Sequence, residues 1–86
     1  MANIEHRHSA RLLRLAAVRA KYPRGRSTLY GDIAHGLFVP PVALGPRCAA
    51  WPEHEVDAII VARSAGTSES DIRELVRKLV AARKAT

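Results

Sequence analysis

The sequence predicts a small, mostly α-helical domain with one β-hairpin and a further C-terminal helix. With 86 residues, the chain is long enough for one hydrophobic core, and 48% of its residues are hydrophobic. Several stretches carry apolar residues at helical spacing, and one stretch around Gly45 combines prolines with short extended runs.

The first two predicted helices are joined by a very short connection. Apolar residues at i, i+3 and i+7 predict a helix over Leu15–Tyr22, and Pro23 ends it. A second helix is expected over Ser27–His35, with Gly25 as its N-cap and Leu29 pointing inward. Because only three residues separate the two helices, they form a helix-turn-helix.

A β-hairpin is predicted next. The extended stretch is expected over Leu37–Leu44, because its paired prolines forbid a helix, and Cys48–Trp51 returns as the second strand. The turn between them brings Arg47 near the tip. A third helix follows Pro52 and can end at Gly66.

The last helix is expected from Ser68 to about Arg83, with Ser68 as its cap and a continuous apolar stripe. Three roles for this stripe stay open: packing on its own domain, self-association, or docking on an integrase or polymerase. The order of elements is that of a winged helix-turn-helix. We therefore divide the chain into a flexible N-terminal arm at residues 1–9, a winged helix-turn-helix domain at 10–66, and a C-terminal helix and tail at 67–86.

The excess of positive over negative charge is confined to the first half of the chain. Residues 1–47 contain eight basic and two acidic residues, so they carry the whole net charge of +6. A one-sided excess of this kind predicts a surface for a polyanion such as double-stranded DNA, not a small-molecule substrate. No apolar run is long enough to cross a bilayer, and no signal peptide is apparent. We expect a cytoplasmic protein that associates with the nucleoid through DNA.

The second helix is the predicted reader of DNA, because small polar side chains on its outward face let it enter the major groove. Its candidate contact residues are Arg26, Ser27, Thr28, Tyr30, Gly31 and His35. Arg47 is the candidate contact of the hairpin, or wing, with the minor groove or a phosphate. The residues expected to neutralise the DNA backbone are Arg14, Arg19, Lys21 and Arg24.

No catalytic, cofactor or metal site is predicted. The sequence has no nucleophile elbow, glycine-rich phosphate loop or metal-ligand spacing, and His6 and His8 have no obvious further ligands. We interpret Cys48 as a small strand residue. We expect the larger aromatic residues Tyr22, Phe38 and Trp51 to lie in the core.

The chain resembles the AlpA family of phage and prophage regulators. The segments that carry the resemblance are Arg11–Leu15, Arg26–Tyr30, Pro41–Arg47, Trp51 and Glu55–Ala58. The resemblance implies a MerR/excisionase-like winged helix-turn-helix, DNA binding, and control of an integrase or neighbouring mobile-element gene. Two positions depart from the family pattern: Gly25 stands where a serine is usual, and Gly31 where a basic residue is common.

Three functions from these observations remain open. The first is a sequence-specific DNA-binding transcriptional regulator of a phage or mobile genetic element. The second is an excisionase, or recombination directionality factor, that bends attachment-site DNA for an integrase. The third is a protein-interaction adaptor that acts through the last helix and needs no DNA.

Overall fold

A computed structural model describes residues 11–84 of the chain. The predicted order of elements is confirmed within this range, and the predicted arm at residues 1–9 lies outside it. The elements are β1 (Leu12–Leu13), α1 (Leu15–Lys21), α2 (Arg26–Ala34), β2 (Val42–Gly45), β3 (Cys48–Pro52), α3 (Glu53–Ser64) and α4 (Glu69–Ala82).

Helices α1 and α2 form the predicted helix-turn-helix, with ends shifted by one residue. Tyr22 is the C-cap of α1, and its N–H donates to the carbonyl of Val18 at 2.8 Å. Gly25 is the N-cap of α2, as predicted, and its carbonyl accepts the first helical hydrogen bond. His35 is the C-cap of α2, so the helix ends one residue earlier than predicted. Gly36 follows at a φ of 76°, a left-handed conformation that suits a glycine at the end of a helix.

The predicted first strand of the hairpin is wrong in its first half. The strand β2 begins only at Val42, whereas the prediction began at Leu37. Three consecutive residues, Leu37, Phe38 and Val39, are all buried, which the alternating faces of a half-exposed strand do not allow. Pro40 and Pro41 also lack the N–H groups that a ladder requires.

The strands form an antiparallel sheet in the order β1-β3-β2, so β3 is the central strand. The pairing of β1 with β3 was not predicted: Leu12 pairs with Pro52, and Leu13 with Trp51. On the other side of β3, the register shifts by one residue at Leu44, which is the extra residue of a β-bulge.

The core joins every helix of the described chain to the sheet. Tyr22 stacks on Phe38 with ring centroids 4.8 Å apart, and the indole N–H of Trp51 donates to the carbonyl of Val39 at 3.0 Å. The three aromatic residues predicted in the core are therefore confirmed there. The largest fully buried apolar side chains are Trp51, Phe38, Leu29, Ile59, Ile72, Val18, Val39 and Val56.

The C-terminal helix α4 packs on its own domain, through the buried Ile72 and Val76. Its predicted cap is confirmed, because the hydroxyl of Ser68 accepts a hydrogen bond from the N–H of Asp71 at 3.2 Å. Self-association and docking through the rest of this helix stay predictions. A shallow surface groove runs along its C-terminal half, lined by Val76, Arg77, Val80, Ala81 and Lys84.

Candidate nucleic-acid interface

The two faces of α2 differ in burial as its sequence predicts. Leu29 is fully buried, and Asp32, three residues later, is also buried. Ser27 and Thr28 are exposed. This confirms the helical phase from which the outward residues were inferred.

The outward face of α2 carries only small or medium side chains. Ser27, Thr28, Gly31 and His35 follow one another along this face. A Cβ built on Gly31 would meet nothing within 4 Å, so the helix surface is open at that position. Nδ1 of His35 lies 2.8 Å from the carbonyl of Gly31, which holds the imidazole back along the helix. A face of this kind can approach the floor of a major groove closely, because no long side chain holds the backbone away.

The N-terminus of α2 is favourable for an anion. Its N-cap Gly25 has no side chain to accept from the first N–H groups, and the first turn contains no acidic residue. Arg26 is exposed at the first position of the helix, and within residues 11–84 no acidic side chain pairs with it. The unpaired N–H groups and the guanidinium therefore add to the positive end of the helix dipole.

Tyr30 connects this helix to the sheet. Its ring lies edge-on to Trp51, with centroids 6.3 Å apart and an interplanar angle of 64°. The side chain keeps two-fifths of its surface exposed, so the ring is also accessible from outside. The contact makes α2 and the central strand β3 direct neighbours.

The hairpin carries Arg47 in its turn, as predicted. Arg47 is exposed and has a φ of 59°, the only positive φ of a non-glycine residue among residues 11–84. A proline followed by a residue with positive φ is the arrangement of a type II turn, and Pro46 supplies that proline. A side chain in this conformation costs about 1 kcal/mol relative to glycine, so the turn holds an arginine where glycine would be more stable.

The predicted backbone contacts have different surroundings. Arg14 is exposed at the N-cap of α1 and has no ion pair within the described part of the chain. Arg19 is exposed, and its Nε donates to the carbonyl of Arg24 at 3.4 Å. Nζ of Lys21 lies 3.0 Å from a carboxylate oxygen of Glu53 and 2.6 Å from one of Asp57. Hydrogen bonds to Asp57 and then to Glu53 raise the pKa of Lys21 above its usual value, so its charge is partly compensated inside the protein.

A partly buried polar cluster between the turn and α2 was missed by the sequence analysis. Nε of Arg24 lies 3.0 Å from a carboxylate oxygen of Asp32, and the same oxygen accepts the hydroxyl hydrogen of Tyr22 at 3.5 Å. Burial is the main reason that the pKa of Tyr22 is raised, while the positive charge of Arg63 opposes the shift. The sequence could have indicated that Asp32 faces inward, because it lies three residues after the inward-facing Leu29 and residues three apart share a helix face.

Within residues 11–84, no group of three or more His, Cys, Asp or Glu side chains is arranged to hold a metal ion. No helix in that range is both long and apolar enough to span a bilayer.

The geometry can be compared with known proteins. Residues 11–64 match the model of the family described as "Prophage CP4-57 regulatory protein (AlpA)". The matched range contains the helix-turn-helix, the hairpin and α3, and it stops before α4. No curated protein and no solved structure was found to match the chain.

Proposed function

Because the chain belongs to the AlpA family of prophage regulatory proteins, which indicates a phage-associated DNA-binding regulator, we propose that it binds double-stranded DNA sequence-specifically. Its effect is to regulate transcription of a phage or mobile-element gene. The proposal includes no catalytic activity and no cofactor. The observation that carries it is the exposed face of small residues on α2, in the half of the chain that holds the excess positive charge.

In this proposal, α2 enters the major groove. The hydroxyl groups of Ser27 and Thr28 contact base edges, and the methyl group of Thr28 can touch a thymine methyl. Arg26 contacts guanine or a phosphate at the start of the helix. Tyr30, Gly31 and His35 complete the contact surface, with Gly31 allowing the close approach.

The wing and the flanking cations bind the DNA backbone. Arg47 enters the minor groove or contacts a phosphate from the hairpin turn. Arg14 and Arg19 are proposed phosphate contacts because both are exposed. Lys21 and Arg24 add positive potential, although each also has acidic partners inside the domain.

The test is binding of the purified chain to duplexes selected from a randomised library, measured by fluorescence anisotropy at several salt concentrations. Phosphate contacts from Arg14, Arg19, Arg26 and Arg47 predict a log–log slope of about −3.6, since each neutralised phosphate contributes about −0.9. A selected duplex that binds no better than a scrambled one contradicts sequence-specific binding. An affinity that ignores salt contradicts DNA binding through these cations.

A matched set of variants separates specific contacts from net charge. Arg26→Ala and Arg47→Ala each remove one positive charge, and so does the control Arg77→Ala on α4. Arg77 is exposed, is paired with Glu74 on its own helix, and is not among the proposed contacts. We expect the first two variants to lose affinity and the control to keep it. Equal losses in all three would indicate that only the total charge matters.

One observation favours the second function, an excisionase-type protein that bends DNA. Leu44 is the extra residue of the β-bulge beside the hairpin turn, and 52% of its surface is exposed. A β-bulge redirects side chains, and an exposed leucine in the same hairpin as Arg47 is the kind of apolar side chain that inserts between base pairs from the minor groove. Bending of attachment-site DNA for an integrase would use this side chain.

The two functions differ in what happens to the bound DNA. A bending role predicts that the electrophoretic mobility of the complex depends on the position of the binding site within the DNA fragment. It also predicts that Leu44→Ala reduces this dependence more than it reduces the affinity for DNA. It also predicts integrase-dependent excision in a purified reaction. Straight DNA in the complex favours the transcriptional regulator alone.

Self-association on DNA and contact with an integrase stay predictions. A single recognition helix covers only a few base pairs, so adjacent copies would extend the site that is read. The stoichiometry of the complex on the selected duplex tests this directly. An adaptor that needs no DNA remains the alternative if no duplex is bound.

A further inference from the structure

The helix α4 holds backbone groups at the ends of both proposed DNA-contacting elements. It lies beyond the residues that match the family, yet its arginine side chains reach back to the C-terminus of α2 and to Pro40, two residues before the hairpin. These contacts are made to carbonyl groups, so they do not depend on which side chains occupy the DNA-facing positions.

The first contact fixes the C-terminal end of α2. Nε of Arg73 donates to the carbonyl of His35, the C-cap residue, at 2.8 Å. Carbonyl groups at a helix C-terminus lack partners within the helix and carry its partial negative charge, so a guanidinium there is stabilising. The aliphatic part of Arg73 also packs on Gly36, with its Cγ 3.5 Å from the position of a Cβ on that glycine.

The second contact fixes the backbone just before β2, the first strand of the wing. Arg83 forms a bidentate ion pair with Glu55 at 2.6 and 2.9 Å, and its Nη2 donates to the carbonyl of Pro40 at 2.8 Å. Glu55 is 1% exposed, so this ion pair is anchored at a buried side chain in the first turn of α3. Pro40 and Pro41 offer no N–H groups for a ladder, and the carbonyl of Pro40 is therefore one of the few groups that can fix the chain before β2.

From these contacts we infer that Arg73 and Arg83 are positioning residues, through which α4 fixes α2 and the wing relative to each other. The inference rests on the proposed function. The guanidinium of Arg83 is held by Glu55 and Pro40. Nε of Arg73 donates to His35, and its Nη2 lies 3.9 Å from a carboxylate oxygen of Glu69 on the same helix. Both side chains therefore act in positioning and not as phosphate contacts. Elements held in the bound geometry before binding lose less entropy on binding, and discrimination between sites depends on that geometry.

The first experiment needs no DNA. Arg73→Met keeps the aliphatic packing and removes the donor, Arg73→Lys restores a donor and a charge, and Arg77→Met is the control for charge loss on the same helix. We expect amide hydrogen exchange at His35, Gly36 and Leu37 to become about five- to tenfold faster in Arg73→Met, since one charge-assisted hydrogen bond is lost. Exchange in the core of α1 is expected to stay unchanged, and Arg73→Lys to restore most of the protection.

The second experiment measures the ratio of affinities for a selected duplex and a scrambled duplex of the same composition. We expect this ratio to fall about tenfold in Arg73→Met, while its salt slope stays equal to that of the wild type. In the control Arg77→Met, we expect the ratio to stay unchanged. Removing Arg83 alone leaves the buried Glu55 unpaired and can unfold the domain. The double variant Glu55→Gln/Arg83→Gln avoids that charge, and it too should lose discrimination.

The outcomes separate the inference from the proposed function. If the wild-type chain discriminates between the duplexes and Arg73→Met and the double variant discriminate equally well, the positioning role is wrong and DNA binding stands. If Arg73→Met makes the salt slope less negative by about 0.9 and keeps the ratio of affinities for the two duplexes, Arg73 is a direct phosphate contact. If the wild-type chain binds no duplex, the proposed function fails and the positioning role fails with it.

Discussion

Leu29→Ala tests the helical phase of α2, on which the proposed DNA-reading surface depends. Leu29 is fully buried, whereas Ser27 and Thr28 are exposed. The substitution removes three carbon atoms from the core and leaves the outward residues unchanged. Its effect on folding therefore reports the orientation of the helix without any DNA.

The expected loss of stability is large for a domain of this size. Three buried carbon groups account for about 2.4 kcal/mol of transfer free energy at about 0.8 kcal/mol each. A cavity that does not collapse raises the cost, so we expect about 2–5 kcal/mol in total. Alanine is at least as good a helix former as leucine, so helix propensity contributes nothing to this loss.

The measurement is urea unfolding followed by circular dichroism, with Leu44→Ala as the matched control. The control makes the same chemical change at a leucine that is 52% exposed, and we expect it to cost less than about 0.5 kcal/mol. If Leu29→Ala costs no more than Leu44→Ala, Leu29 is not in the core. The residues assigned to the outward face of α2 would then be wrong.

Four further predictions concern the same surface and its support. Arg47→Ala should weaken DNA binding by about 1–3 kcal/mol while the urea midpoint stays the same, and unchanged affinity in the folded variant removes the wing contact. Thr28→Ala should alter the preferred site in a selection experiment more than it alters non-specific affinity, whereas equal losses on all duplexes indicate a backbone contact. Gly31→Ala should raise the free energy of unfolding by about 0.5–1 kcal/mol, because the added Cβ meets no atom within 4 Å, and a loss would show that the site is closed. Burial raises the pKa of Tyr22, so the folded state disfavours the phenolate and its stability falls as the pH rises above about 10; Tyr22→Phe should lessen that fall, and equal alkaline slopes would contradict it.

Local patterns were sufficient to predict the helices. The spacing of apolar residues, Pro23, and the caps at Gly25 and Ser68 act within a few residues along the chain, so their effects can be read from sequence. The helix ends found in the structure differ from the predicted ends by one residue at α1 and α2. The outward face of α2 followed from the same periodicity.

Features that depend on distant residues were not predicted. The strand β1 exists because Leu13 pairs with Trp51, and nothing in its two residues specifies that partner. The run Leu37–Val39 was assigned to a strand because extended backbone and a paired strand have the same local sequence signals. The contacts of Arg73 and Arg83 with backbone carbonyls require the packed position of α4, which a stripe of apolar residues does not give.

The central claim is that the surface of α2 and the hairpin turn contact duplex DNA. It is tested most directly by titrating the isotope-labelled chain with the selected duplex and following backbone amide shifts by NMR. We predict that the largest changes lie at Arg26–Gly31 and at Arg47, and that the exposed face of α4 around Arg77 and Lys78 changes little. Changes concentrated along α4, with α2 and the turn unaffected, would contradict the account.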